Sequence, residues 1–437
     1  MSLRERISPF IAGRLLDTRR QDKARAGFEA ARVRSSAPHT ITYFHRPDDP
    51  YAVLACQMLA GLVERFDIEL QVMLVPQPDD RDAPERDALA AYARRDATAI
   101  APHYGLTFAP ADEQPDAKLV RRALAIGLGA IKQGVFADVG PQIDSALWQN
   151  SAMALNNLAG RVGEAGVDEV KAATADGHAQ RAAMGHYLGG TFCYGGEQYW
   201  AVDRLHYLET RLAELGAYRG SAPFTPATQP PALCDTPSPG GEGPGLDFYL
   251  SLRSPYTAVG AARFFELADH YNCKVNLRFV LPMMMRGIPA SREKQRYIIR
   301  DAKREADRLG VPFGHIADPF GRPSERGLSL IPYAVSEGRG REYVLSFLSG
   351  VWAEAIPAGS TSGLKKIVTR AGLDWQVARR WLEDQAWRDE AERNREALFA
   401  LGLWGVPTVA VGDVAYWGQD RLWLIEREIQ KILGQAR

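Results

Sequence analysis

The chain has 437 residues, 46% apolar and 24% charged, a size and balance that predict two or three globular domains. Lys+Arg and Asp+Glu number 53 each, so the formal net charge is zero, which argues against a broadly basic nucleic-acid surface. No apolar run approaches the roughly 18 residues of a membrane span, and the opening MSLRERISPF lacks the apolar core of a secretion signal. Cys56, Cys193, Cys234 and Cys273 form no C-x-x-C pair and no zinc-spaced cluster with histidine. No metal site is therefore expected, and a reducing cytoplasm is the expected location.

In chain order, residues 1–38 form an arm of apolar residues set among Arg and Lys, predicted as one or two amphipathic helices. A strand is expected from Thr40, ending before Asp49-Pro50-Tyr51, followed by an apolar helix and a second strand before Pro76. A long helical stretch then leads to two strands and a terminal helix around TFCYGGEQYWAVDRL (Thr191–Leu205). Residues 218–245 are crowded with Pro, Gly, Ser and Thr and are predicted to be a linker.

The second half repeats the order. A strand near Leu246–Leu250 precedes a helix from Pro255, and a β-rich run covers Val275–Leu281. A charged helix over Ser291–Leu309 is predicted from its apolar spacing, with Glu293, Asp301, Glu305 and Asp307 interspersed on a solvated face. A hairpin is predicted around Gly412-Asp413, then a final helix after Asp420. TVAVGDVAYWGQDRL (Thr408–Leu422) aligns without gaps to Thr191–Leu205, sharing Thr, Gly, Tyr-Trp and Asp-Arg-Leu. The expected fold class is thus α/β: two tandem thioredoxin-like domains, each with a large helical insertion, at 39–217 and 246–437.

Three blocks carry a family resemblance: FYLSLRSPYTA after the first strand, GLWGVPTVAV before the hairpin, and YWGQDRLWLIE at the last helix. With them the second half resembles the DsbA-like branch of the thioredoxin superfamily. Within that branch it is most similar to the group of 2-hydroxychromene-2-carboxylate isomerases and kappa-class glutathione transferases. The resemblance implies glutathione as cofactor, with Ser254 as the catalytic residue holding its sulfur as a thiolate. It implies a cis bond at Val406-Pro407 that offers backbone to an extended peptide. It also implies that Gln419 and Asp420 hold the γ-glutamyl group, and Arg286 the glycine carboxylate. The substrate class implied is an electrophilic small molecule, aromatic or unsaturated and carrying a carboxylate.

Each of these residues has a plainer reading. Ser254-Pro255 is a favoured helix start in its own right, and Gly405-Val406-Pro407 makes a rigid turn. Asp420 caps a helix and Arg421 pairs beside it. Met283, Met284 and Met285 form an adaptable pocket wall or ordinary core, as do Trp352, Trp404 and Trp417. The turn Leu252-Arg253-Ser254-Pro255-Tyr256 contains no cysteine, so dithiol exchange is not expected. In the first half Asp49 stands at the Ser254 position and Gly190 at that of Pro407. A carboxylate repels a thiolate, so this half is expected to be catalytically silent, a scaffold pairing with the second domain as an intramolecular pseudo-dimer. The rival functions are a non-catalytic thioredoxin-fold binding or scaffold protein and a redox protein using a lone thiol.

Overall fold

The computed structural model describes residues 3–235 and 240–434. Residues 1–2 of the arm, 236–239 of the linker and 435–437 of the second domain lie outside the described residues. The chain divides into two compact units. One holds residues 22–230 and 291–294; the other holds 1–21, 231–290 and 295–437.

The arm forms two helices, α1 (Leu3–Leu15) and α2 (Thr18–Arg34). Phe10 and Ile11 of α1 are exposed, and α2 buries no residue. The amphipathic expectation therefore fails for α2. Polar pins hold α2 to its unit instead. Arg25 grips Glu197 through Nε and Nη2 at 2.6 and 2.8 Å, and Tyr194 donates to Glu29.

The N-terminal unit is built on a four-stranded sheet ordered β2-β1-β3-β4. β1 (Thr40–His45) runs parallel to β2 (Glu69–Leu74) and antiparallel to β3 (Thr191–Tyr194), which pairs with β4 (Glu197–Trp200). After β1 comes α3 (Pro50–Gln57), and β2 leads into a helical stretch that includes α4 (Phe136–Trp148). α5 (Ala201–Glu214) follows β4. The core gathers Ile41, Tyr43, Phe66, Phe192, Leu205 and Leu208, all at most 2% exposed. Parallel β1 and β2 need a crossover, and the apolar α3 supplies it.

The C-terminal unit has the same strand order, β6-β5-β7-β8. β5 (Leu246–Leu250) is parallel to β6 (Val275–Phe279) and antiparallel to β7 (Thr408–Val411), which pairs with β8 (Val414–Trp417). α6 (Pro255–His270) joins β5 to β6, and its Phe264 stacks on Phe248 with centroids 4.2 Å apart. α7 (Arg292–Arg308) opens the helical insertion, and α8 (Leu422–Ile432) ends the fold. Two parallel-plus-hairpin sheets, each carrying helices, make the chain mixed α/β with two thioredoxin-like domains. Among the described residues no helix is long and apolar enough to cross a membrane.

Two local readings change. The segment 218–230 is seated on its unit, because Phe224 packs on Phe66 and Tyr218, and buried Glu209 accepts from the Ala227 N–H at 3.0 Å. α7 is not solvated all along its acidic positions: Asp301 and Glu305 are 2% and 1% exposed. Burial of these carboxylates is compensated by donors, Tyr256 Oη to Asp301 at 2.8 Å and Gln419 Nε2 to Glu305 at 2.8 Å.

Candidate active site

The site is organised by the start of α6. Ser254 takes an extended backbone (φ −85°, ψ 119°) and caps the helix, its Oγ accepting from the Thr257 N–H at 3.1 Å, while Pro255 occupies the first helical position. Serine and proline suit these places because one supplies an acceptor for an orphan N–H and the other has none to leave unpaired. The same hydroxyl donates to the Val406 carbonyl at 3.2 Å. That bond ties the α6 turn to the loop before β7, where the Val406-Pro407 peptide is cis. Ser254 and Val406 are half-buried, Pro407 is buried, and the Pro407 carbonyl accepts from the Gly418 N–H at 2.9 Å.

The other expected residues divide. Arg286 reaches the same loop, donating through Nη2 to the Trp404 carbonyl at 3.3 Å. Its backbone lies in the short Met283–Arg286 turn, whose three methionines are half-buried. Asp420 is half-buried with Arg421 Nη1 3.8 Å away. Gln419 is 2% exposed and committed to the interior: its amide nitrogen donates to Glu305, and its oxygen lies 3.5 Å from Arg263 Nη1. A Cβ at Gly260 would fall 2.7 Å from Gln419 Cβ, so α6 packs directly on this side chain. In the N-terminal unit Asp203 and Arg204 are each 4% exposed, the interior counterparts of the Asp420-Arg421 pair.

Three supports hold the turn, and their partners are distant in the sequence. Arg253, just before Ser254, binds Asp318 through two bonds of 2.9 and 3.2 Å and lies 4.9 Å from the Phe320 ring centroid. Its adjacency to Ser254 was a usable signal; the distant Asp318 was not. Trp352 is buried, stacks on Phe313 and donates from Nε1 to the Leu252 carbonyl at 3.1 Å. Trp404 and Trp417 meet at 5.0 Å, and the Trp417 ring would clash with any Cβ at Gly405.

The thiols lie elsewhere and are poorly suited to attack. Burial pushes Cys193 up to about 12, and Cys234 and Cys273 up to about 11, Glu426 adding to the effect at Cys234; Cys56 is fully buried. A nucleophilic thiol needs the opposite shift, so the lone-thiol reading loses its basis.

The N-terminal unit shows the corresponding turn without the donor. Asp49 caps α3, its Oδ1 accepting from the Tyr51 N–H at 3.0 Å, and burial raises its pKa. Gly190 has φ +67°, and a Cβ there would lie 2.9 Å from Ala52 Cα. A Cβ at Gly189 would lie 2.9 Å from Arg46 Cβ and 3.3 Å from Asp49 Oδ2. Backbone thus presses closely on the helix start.

The C-terminal half is similar to known proteins. A profile of the DSBA-like thioredoxin domain matches residues 245–430. The 2-hydroxychromene-2-carboxylate isomerase of Pseudomonas putida is 25% identical over 198 residues, covering 44% of this chain and 96% of that protein. Its namesake from Sphingobium xenophagum is 24% identical over 189 residues, 41% of this chain and 95% of that one. A solved 2-hydroxychromene-2-carboxylate isomerase structure is 23% identical, with 44% of this chain and 97% of that one covered at a TM-score of 0.39. Residues 245–430 of this chain are therefore a DsbA-like thioredoxin domain.

Proposed function

We propose that the C-terminal domain is a glutathione-dependent isomerase or transferase acting on an electrophilic aromatic or unsaturated carboxylate. The observation that carries this reading is the Ser254 hydroxyl, held at the N-terminus of α6 and bonded to Val406 in a turn that has no cysteine. When bound, glutathione supplies a thiolate, a nucleophile able to add to a conjugated double bond.

The residues present fit that group. Among the described residues the half-buried Val406 N–H has no acceptor, so it is available to an extended peptide in the manner of an added strand. Ser254 now gives its proton to a neutral carbonyl. Redirecting it to a sulfur anion exchanges an ordinary hydrogen bond for a charge-assisted one, a difference of about 1 kcal/mol. The α6 N-terminus adds about 0.3–1 kcal/mol for a negative charge. Together these lower a thiol by about one unit from its usual value of about 8.5. Arg286 offers a cation for a carboxylate and Asp420 an acceptor for an ammonium. Gln419 holds the corner through Glu305 and Arg263 and is left out of the ligand set.

The relatives named as isomerases favour isomerisation over conjugation, with the chain's own contribution being alignment and charge stabilisation. The test is to titrate the intact chain with glutathione, following thermal denaturation, and to assay conversion of 2-hydroxychromene-2-carboxylate with and without glutathione. Saturable stabilisation and glutathione-dependent turnover are expected. No binding at millimolar glutathione would overturn the reading in favour of a non-catalytic binding domain.

A further inference from the structure

We propose that the N-terminal unit holds a divalent transition-metal ion, zinc by its donor chemistry, between His45 Nε2, Cys56 Sγ and the Asp144 carboxylate. The three come from the end of β1, from α3 and from α4, so their sequence spacing gave no sign of a site. Their ligand atoms lie within 4.8 Å of one another, and the residues are 2%, 0% and 0% exposed.

The hydrogen bonds set the proton positions. Tyr43 Oη donates its one proton to the Ala52 carbonyl at 2.8 Å. At 3.2 Å from His45 Nδ1 it therefore accepts, which places the imidazole proton on Nδ1. Nε2 then turns its lone pair toward Asp144 Oδ1 at 3.1 Å. Two lone pairs that close require a cation between them, either a proton or a metal ion. A second observation separates these. Asp144 Oδ2 is buried and has no hydrogen-bond partner among the described residues. A proton shared between Nε2 and Oδ1 leaves Oδ2 unpaired and leaves Cys56, which hydrogen-bonds to Asp144, a neutral thiol, whereas a metal ion engages all three side chains.

The His45–Asp144 separation suits zinc. With Zn–N and Zn–O distances of about 2.0–2.1 Å, a 3.1 Å separation corresponds to an angle of about 100° at the metal. A ligand set of imidazole, thiolate and carboxylate selects a borderline ion over magnesium or calcium. The Nδ1–H bond to Tyr43 fixes the ring as the outer partner of a metal-bound histidine does. Gly140 of α4 completes the fit, because a Cβ there would come within 2.9 Å of Cys56 Sγ. Binding replaces the Cys56 S–H bond by an S–metal bond and displaces the proton held between Nε2 and Oδ1, so two protons pass to solvent.

The site is sealed, so the ion enters during folding. The test is to express the full chain in zinc-supplemented medium, desalt it through a chelator, and measure metal by elemental analysis and native mass spectrometry. One zinc per chain is expected, with most of it lost in Cys56→Ser and Asp144→Asn. Cobalt-grown protein is expected to show a thiolate-to-cobalt charge-transfer band that Cys56→Ser abolishes. Folded wild-type chain with only substoichiometric metal would overturn the proposal whether or not the variants fold. Equal zinc retention in both variants would also overturn it, placing the ion elsewhere.

Discussion

Replacing Ser254 by Ala and by Asp separates its two roles. The hydroxyl accepts from Thr257 N–H and donates to Val406. Alanine loses both functions; the lost cap costs about 1 kcal/mol, which lowers the melting temperature of a domain this size by about 2–4 °C. Aspartate keeps the cap, as Asp49 does at the matching turn of the other unit, but loses the bond to Val406 and sets a carboxylate against that carbonyl, so it too is destabilised, by about 1 kcal/mol. Neither variant donates to sulfur. With Ala the bound glutathione thiol returns toward about 8.5, and with Asp it rises further through like-charge repulsion. Calorimetry reads the first quantity, and ultraviolet thiolate absorbance against pH reads the second. If Ser254→Asp keeps the low thiol pKa, donation by this hydroxyl is not what holds the anion, and the mechanism fails.

Three further outcomes follow from particular contacts. Asp318→Ala strips Arg253 of a two-point partner where the side chains are 16% and 17% exposed; a loss of about 1–3 kcal/mol is expected in chemical denaturation, and an unchanged midpoint would show that the pair is idle. Gly190→Ala combines a left-handed backbone with a 2.9 Å approach to Ala52 Cα, and should cost about 2–4 kcal/mol. Gly105→Ala, also at φ +67° but with nothing within 4 Å, should cost only about 1 kcal/mol; equal losses would deny the close contact. His186 is held down to about 3 by burial and then by the Arg181 charge, against 6.5 unfolded. Between those values the unfolded chain binds the extra proton, so stability falls as pH drops from 6.5 toward 3, by up to about 1.4 kcal/mol per pH unit. His186→Gln should flatten that slope in acid titrations followed by fluorescence, and an unchanged slope would assign the acid sensitivity elsewhere.

The strands and the helix starts were legible because their signals are local. Alternation and apolar runs marked β5 and β7, and Ser-Pro marked the start of α6. What was not legible depends on distant partners. Asp301 and Glu305 looked solvated because their helix is rich in charge; only the fold brings Tyr256 and Gln419 to them. Gln419 itself was expected to bind ligand, and its interior bonds were hidden for the same reason. The segment 218–230 had linker composition, yet one aromatic, Phe224, and one buried carboxylate, Glu209, suffice to seat it. His45, Cys56 and Asp144 converge only after β1, α3 and α4 pack together.

The two turns together isolate what the proposed chemistry requires. Both helices start with a capping side chain followed by proline, and both lie beside the strand that continues the sheet. Fold and capping are common to them and cannot distinguish an active turn from a silent one. The differences are a proton and a backbone contact. Ser254 has a hydrogen to give and Asp49 has only lone pairs. Val406 meets its turn through one hydrogen bond and keeps a free backbone N–H, whereas Gly189 and Gly190 press their backbone onto the helix start. Converting Asp49 to Ser in the N-terminal unit would restore the proton and leave the close backbone contact in place. It is therefore expected to add no glutathione site, and a second saturable binding event in that variant would show that the hydroxyl alone is sufficient.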